Sequence, residues 1–263
     1  MTHFLFNRNH QLHFQNRAQK NFANHSFLFE WTKDQITDRL NDIKKEFIDK
    51  ILLGNRITIN DFKNIPLAKD DTEILPLEPK SCDCIVSILD LHTINDLPNY
   101  LLQIRHALRD DGLFLGALFG GETLYELRHA LMTAEIDVLG GASPRVFPFA
   151  DKQQIGALMQ RAGFSLPVID SEIIRTSYQT MFNLMSDIRG MGEQNCLITR
   201  YKKFTPSKLF YRAAEIYQNE FAETDGRVTA SFEIIFIIGW APHSSQQQPL
   251  KRGSATASLA DIL

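Results

Sequence analysis

The chain has 263 residues, 44% of them hydrophobic and 22% charged, with a formal net charge of −3. That apolar share supplies a sizeable core and excludes wholesale disorder, and the balanced charge excludes a chain-wide electrostatic footprint for nucleic acid. Apolar runs such as 234–238 and 113–119 fall far short of the ~20 residues that span a bilayer, and three cysteines (Cys82, Cys84, Cys196) cannot build a disulfide framework, which points to a reducing compartment.

Residues 1–29 contain no Asp or Glu but carry Arg8, Arg17, Lys20 and several histidines. The charge is that of an organellar transit peptide, without its Arg and Ser richness, so an ordinary helical arm is the better reading. Nothing there has the apolar core of a secretion signal. Leu12, Phe14, Phe22, Phe27, Leu28, Trp31, Ile36, Leu40, Ile43 and Phe47 recur mostly every three to five residues, which predicts helices and an arm over residues 1–49.

From Lys50 the texture changes. Residues 51–54 and Arg56-Ile57-Thr58-Ile59 read as strands, and 84–89 is a continuous apolar run suited to a strand covered on both faces. Asn95-Asp96 offers an N-cap to a helix over 97–108, with Pro98 in its first turn. A strand at 113–119, a helix at 123–139 closed by Gly140-Gly141, and a helix at 151–161 stopped by Gly163 follow. Then come a strand at 168–176, a helical insertion (179–190 and 206–222) and a strong strand at 228–240. This α/β domain spans 50–240, and a Ser/Gln/Ala/Gly-rich tail over 241–263 ends in a predicted short helix. Alternating strands and helices imply a mostly parallel sheet with helices on both faces. Ligands in such sheets sit beyond the carboxyl ends of the strands.

The stretch Asp71-Thr72-Glu73-Ile74-Leu75-Pro76-Leu77, with Asp83-Cys84-Ile85-Val86-Ser87 and Leu91-His92 after it, resembles the class I S-adenosylmethionine-dependent methyltransferases. The resemblance implies a Rossmann-like fold, and it implies a cofactor contacted by Gly54, Asp61, Asp71, Thr72, Ser87 and Asp90. Further segments narrow it: Gly120 to Arg128, Gly140-Gly141-Ala142-Ser143-Pro144-Arg145-Val146, Asp187 to Glu193, Asp225-Gly226-Arg227 and Gly239-Trp240-Ala241-Pro242-His243. Together they resemble the methyltransferase-fold assembly factors of respiratory complex I and their bacterial relatives, across nearly the whole chain. That implies a core subunit of complex I as partner and an arginine of it as the group modified. It also implies a place in the bacterial cytoplasm or the mitochondrial matrix, and membrane association, if any, through the partner. His92, Gly140, Gly141, Pro144, Arg145, Trp240 and His243 are the candidate substrate or partner residues. No catalytic residue and no metal ligand set is assigned.

One departure bears on the cofactor. A first strand that cradles S-adenosylmethionine ends in an acid and a Gly-rich turn, because only Gly allows close backbone approach. Here Leu52 holds the acidic position, Thr58 a later Gly position, and Gly54 alone remains. Two strand–helix units and a third strand need about 50 residues, yet only 25 separate Lys50 from Ile74, counted inclusively. The amino-terminal half of the sheet is therefore expected to be shortened by at least one unit. Asp90 and His92 would share a face of an extended segment, as two ligands of an iron triad or, more simply, a polar strand end. Cys82 and Cys84 would likewise share a face, as buried thiols. Arg145 reads equally well as a carboxylate clamp and as a tie between its loop and the domain.

Overall fold

The computed structural model describes residues 4–67 and 72–247. Helix α1 (Arg8–Ala18) begins where the Asn7 side chain accepts a hydrogen bond from the His10 amide at 2.9 Å, and α2 (Phe27–Asn41) follows a short 3-10 turn. Six strands follow: β1 (Lys50–Leu53), β2 (Lys63–Ile65), β3 (Cys82–Ile88), β4 (Leu108–Phe119), β5 (Ser165–Tyr178) and β6 (Val228–Trp240). The helices between and after them are α3 (Leu97–Ala107), α4 (Tyr125–Leu139), α5 (Lys152–Arg161), α6 (Met181–Met191) and α7 (Ser207–Phe221).

Across the sheet the order is β2-β1-β3-β4-β6-β5. The first four are parallel, and β6 runs antiparallel to both neighbours. This is the expected α/β, Rossmann-like methyltransferase architecture with a reduced amino-terminal half. Apolar residues of α2, α4, α6 and α7 form one core against the sheet, and those of α3 and α5 form the other. Leu28, Phe29 and Ile36 of α2 are fully buried, so the arm completes the first core.

The reduction goes further than the residue count alone requires. Among the described residues, the chain between β1 and α3 holds no α-helix, only a 3-10 turn at Leu91–Thr93. Parallel neighbours normally need a crossover of a dozen or more residues. Here 54–62 suffice, and Asn64 Nδ2 ties them by donating to the carbonyls of Gly54 (3.3 Å) and Ile57 (2.9 Å). Residues 56–59 are therefore loop, correcting the expected strand; the pairing strand is the less apolar Lys63-Asn64-Ile65. A second correction concerns the thiols. A register shift between Cys82 and Cys84 puts Cys82 into the α3/α5 core and Cys84 into the other, both buried.

Candidate functional site

The sheet order reverses between β1 and β3, so the ligand crevice of a doubly wound fold falls at their carboxyl ends. The chain's own side chains converge there. Gly54 ends β1 at φ +101, and a Cβ on it would stand 2.2 Å from Asp90 Oδ2, so glycine is needed for Asp90 to close over the turn. Arg56, two residues on, donates to Asp90 Oδ1 and to the Leu89 carbonyl, both at 2.6 Å, and pairs with Glu193. Its guanidinium lies over the Phe29 ring of α2, 4.4 Å from the centroid. His92 Nε2 meets the other Glu193 oxygen at 2.9 Å.

The two acids around Arg56 are driven apart. Burial pushes Glu193 up, but Arg56 and His92 outweigh it by charge and hydrogen bonds and hold it down to about 2. For Asp90, burial outweighs the charge and hydrogen bond of Arg56; the nearby Glu193 charge pushes the same way as burial, His92 opposes it only weakly, and Asp90 is raised above its ordinary range. Arg56 itself is raised, the two carboxylates overcoming its desolvation. Helix α1 covers this cluster: Gln11 donates to Thr93, and Arg8 meets Glu73 at 3.0 Å. Glu73 also accepts the backbone amides of Asn95 and Asp96, each at 2.8 Å, just ahead of α3.

Beyond Glu193 a cavity of about 260 Å³ opens at the end of β4. Phe119, Phe147, Phe149, Leu127 and Phe232 supply apolar walls, Glu193 is the acid on the lining, and Arg145, Arg189 and Arg200 are its cations. His92 packs against Phe119 at 4.9 Å between ring centroids and thus joins cluster and cavity into one site. Concave, largely apolar space with a few converging polar groups is the usual form of a binding site.

A family model described as a methyltransferase domain matches residues 40–116. The human protein named arginine-hydroxylase NDUFAF5, mitochondrial, is 37% identical over 280 residues, covering 94% of this chain and 81% of that one. The protein of the same name from Danio rerio is 39% identical over 84% of this chain and 70% of its own length. The chain belongs to the NDUFAF5 arginine-hydroxylase family. A malonyl-[acyl-carrier protein] O-methyltransferase of Xylella fastidiosa is also similar, at 34% identity over 72% of this chain and 60% of that protein.

In this NDUFAF5-family chain the residues singled out from sequence separate into three groups. Gly54, Asp90 and His92 meet in the cluster, although Asp90 precedes and His92 lies within a 3-10 turn rather than an extended segment. Ser87 is buried within β3 near the same end, its hydroxyl unpartnered among the described residues. Thr72 is exposed beside the buried Glu73, and Asp71 lies outside the described residues, as does the expected tail helix.

A second group lies on the loop after α4, and of its members Arg145 alone lines the cavity. Gly140 caps α4 at φ +72, Gly141 has open space beside it, and the Pro144 carbonyl accepts from Asn195 at 2.7 Å. Arg145 grips Glu135 of α4 through Nε (3.0 Å) and Nη2 (2.8 Å), so it ties the loop down while facing the cavity.

The third group is a correction. Asp61 precedes β2 at the amino end of the parallel strands, its side chain 84% exposed, where no ribose at the carboxyl ends could meet it. Trp240 pairs with Leu113 and packs on Phe47, six strand residues or about 20 Å from the Phe119 end, and exposed His243 follows it. The site residues missed from sequence are Arg56, Phe119 and Phe147, and Phe149 stood out only as the start of the Phe149-Ala150-Asp151 motif. Glu193 stood out only as the end of a motif. Phe147 and Phe149 alternate directly after Arg145, which was the one readable signal.

Proposed function

We propose that this chain acts in the assembly of respiratory complex I, as a methyltransferase-fold protein that engages a core subunit and seats one of its arginines in the cavity. What carries the reading is 37% identity to the human arginine-hydroxylase across 94% of the chain. The site supports it, because the faces of Phe119, Phe147 and Phe149 are what a guanidinium stacks on. The expected place of action is the bacterial cytoplasm or the mitochondrial matrix. Among the described residues no helix is long and apolar enough to cross a membrane, and membrane association, if any, is expected through the partner. Mass spectrometry of the core subunit from a strain lacking this chain tests the proposal. One arginine should be lighter by the mass of an oxygen atom; an unchanged subunit overturns it.

The second reading is S-adenosylmethionine-dependent methyl transfer to a small molecule or protein, favoured by the methyltransferase model over residues 40–116. The residues at the switch point do not fit the cofactor as they stand. Arg56 and Asp90 close the turn that should receive it, and among the described residues no helix lies between β1 and β2 to face its carboxylate. Calorimetric titration with S-adenosylhomocysteine decides: saturable heat supports methyl transfer, and its absence favours a chain that kept the fold without the cofactor.

A further inference from the structure

The charge on the side of the cavity formed by α1 and residues 181–204 is one-sided. In the chain as a whole acids slightly outnumber bases, at 31 to 28. Yet α1 and the residues next to it carry no acid up to Glu30. On the facing segment 181–204 the acids are Asp187 and Glu193, and both are spent internally. Asp187 is held by His25 (2.5 Å) and Tyr178 (2.7 Å), and Glu193 by Arg56 and His92.

The cations of this face have no such partners. Arg200 donates to the Leu197 carbonyl at 3.0 Å and approaches His10 at 3.3 Å. Arg17 donates to the neutral Gln194 side chain. Arg189 lines the cavity and is exposed, and no carboxylate pairs with it among the described residues. Exposed Lys202 adds to the crowd, which after burial holds His10 below its ordinary range.

Taking the arginine-seating role above as its basis, we infer that the partner segment is acidic on both sides of its arginine and docks on the basic face formed by α1 and residues 189–202. A lone arginine would meet repulsion at this mouth; flanking carboxylates turn the repulsion into attraction and fix the approach. A cavity of about 260 Å³ admits a single side chain. That favours a peptide over nucleic acid, whose phosphates need an extended basic track.

Fluorescence anisotropy with labelled peptides on the full chain tests this. One peptide carries a central arginine flanked by glutamates, a second replaces the glutamates by glutamine, and a third keeps them but has a central glutamine. The glutamate-flanked arginine peptide should bind at least about ten-fold more tightly than the glutamine-flanked one at an ionic strength near 0.05 M. The difference should vanish at about 0.5 M and in Arg189→Glu/Lys202→Glu, with melting followed by circular dichroism to confirm that this variant is folded. Equal binding of the first two peptides overturns the inference. So does binding to phosphatidylglycerol vesicles without any acidic preference among peptides, which would make the face a membrane contact. If the third peptide binds as well as the first, acidic docking stands and the arginine-seating role falls. If only the central arginine matters, the role stands and acidic docking falls.

Discussion

Strands β4, β5 and β6, of 12, 14 and 13 residues, join through long antiparallel ladders, whereas β1 and β2 have four and three residues. The two halves of the sheet therefore cohere by different means. On the long side, backbone pairing and apolar burial suffice, and the outer strand β5 alternates exposed with half-buried residues and carries charge, as a protected edge should. On the short side the ladder is too brief and the crossover helices are missing. Side chains replace them: Asn64 ties the crossing loop, Arg56 joins Leu89, Asp90 and Glu193, and α2 of the arm lays Phe29 across Arg56. A sheet can thus shed its crossovers if a buried ion cluster and a helix from outside take over, but it then depends on single residues.

The sharpest way to break that dependence is Arg56→Ala. It leaves Asp90 and Glu193 buried without their cation, a loss of about 3–5 kcal/mol, read as a drop in the urea midpoint. Next comes Gly54→Ala. The residue sits at φ +101 with the Asp90 carboxylate where the methyl would go, and strain plus a displaced Asp90 should cost about 2–3 kcal/mol. Anchors on the long side should tolerate comparable changes far better.

The same contrast governs what the sequence reveals. Every strand and α-helix from β3 onward, though not the short 3-10 turn at Leu91–Thr93, follows from apolar runs, from the Asp96 cap with Pro98 behind it, or from Gly140 at the end of α4, because those elements are long and locally specified. The short half obeys no such local rule. Ile57 and Ile59 alternate as a strand would, yet they lie in the crossing loop, while β2 is a triplet with one apolar residue, Ile65, and Asn64 ties it to that loop. Arg56 has no signature at all, since its partners lie 34 and 137 positions away. Cys82 and Cys84 were assigned one face because a bulge does not show in spacing. Asp61 had the right chemistry at the wrong end of its strand.

Acid should expose the cluster as well. Glu193 is held at about 2, below its ordinary 4.5, so the stability it contributes is present above the ordinary value and is lost as pH falls through about 2. Asp90, shifted upward, works the other way: the folded state gains by its protonation as pH falls. Between about pH 4.5 and pH 2 the Glu193 contribution, on the order of 2 kcal/mol, should dominate. Urea midpoints measured down this range should fall steeply in the parent and less in Glu193→Gln, and equal slopes would assign the acid sensitivity elsewhere.

The smallest expected effect gives the closest control, because the long half contains a near copy of the arrangement. Arg39 of α2 also stacks on a phenylalanine, 3.9 Å from the Phe236 centroid, and also faces two acids, Asp170 at 3.2 Å and Glu172 at 3.5 Å. The difference is water. The Arg39 acids are 51% and 48% exposed, against 5% and 11% for those of Arg56. Exposed pairs contribute about 0–1 kcal/mol, and solvent reclaims Asp170 and Glu172 once the guanidinium is gone. Arg39→Ala should therefore cost no more than about 1 kcal/mol, including the lost ring contact. Equal losses from Arg39→Ala and Arg56→Ala would mean that ring stacking, common to both, supplies the stability. A several-fold larger loss at Arg56 places it in the buried carboxylates that stand in for the missing crossover.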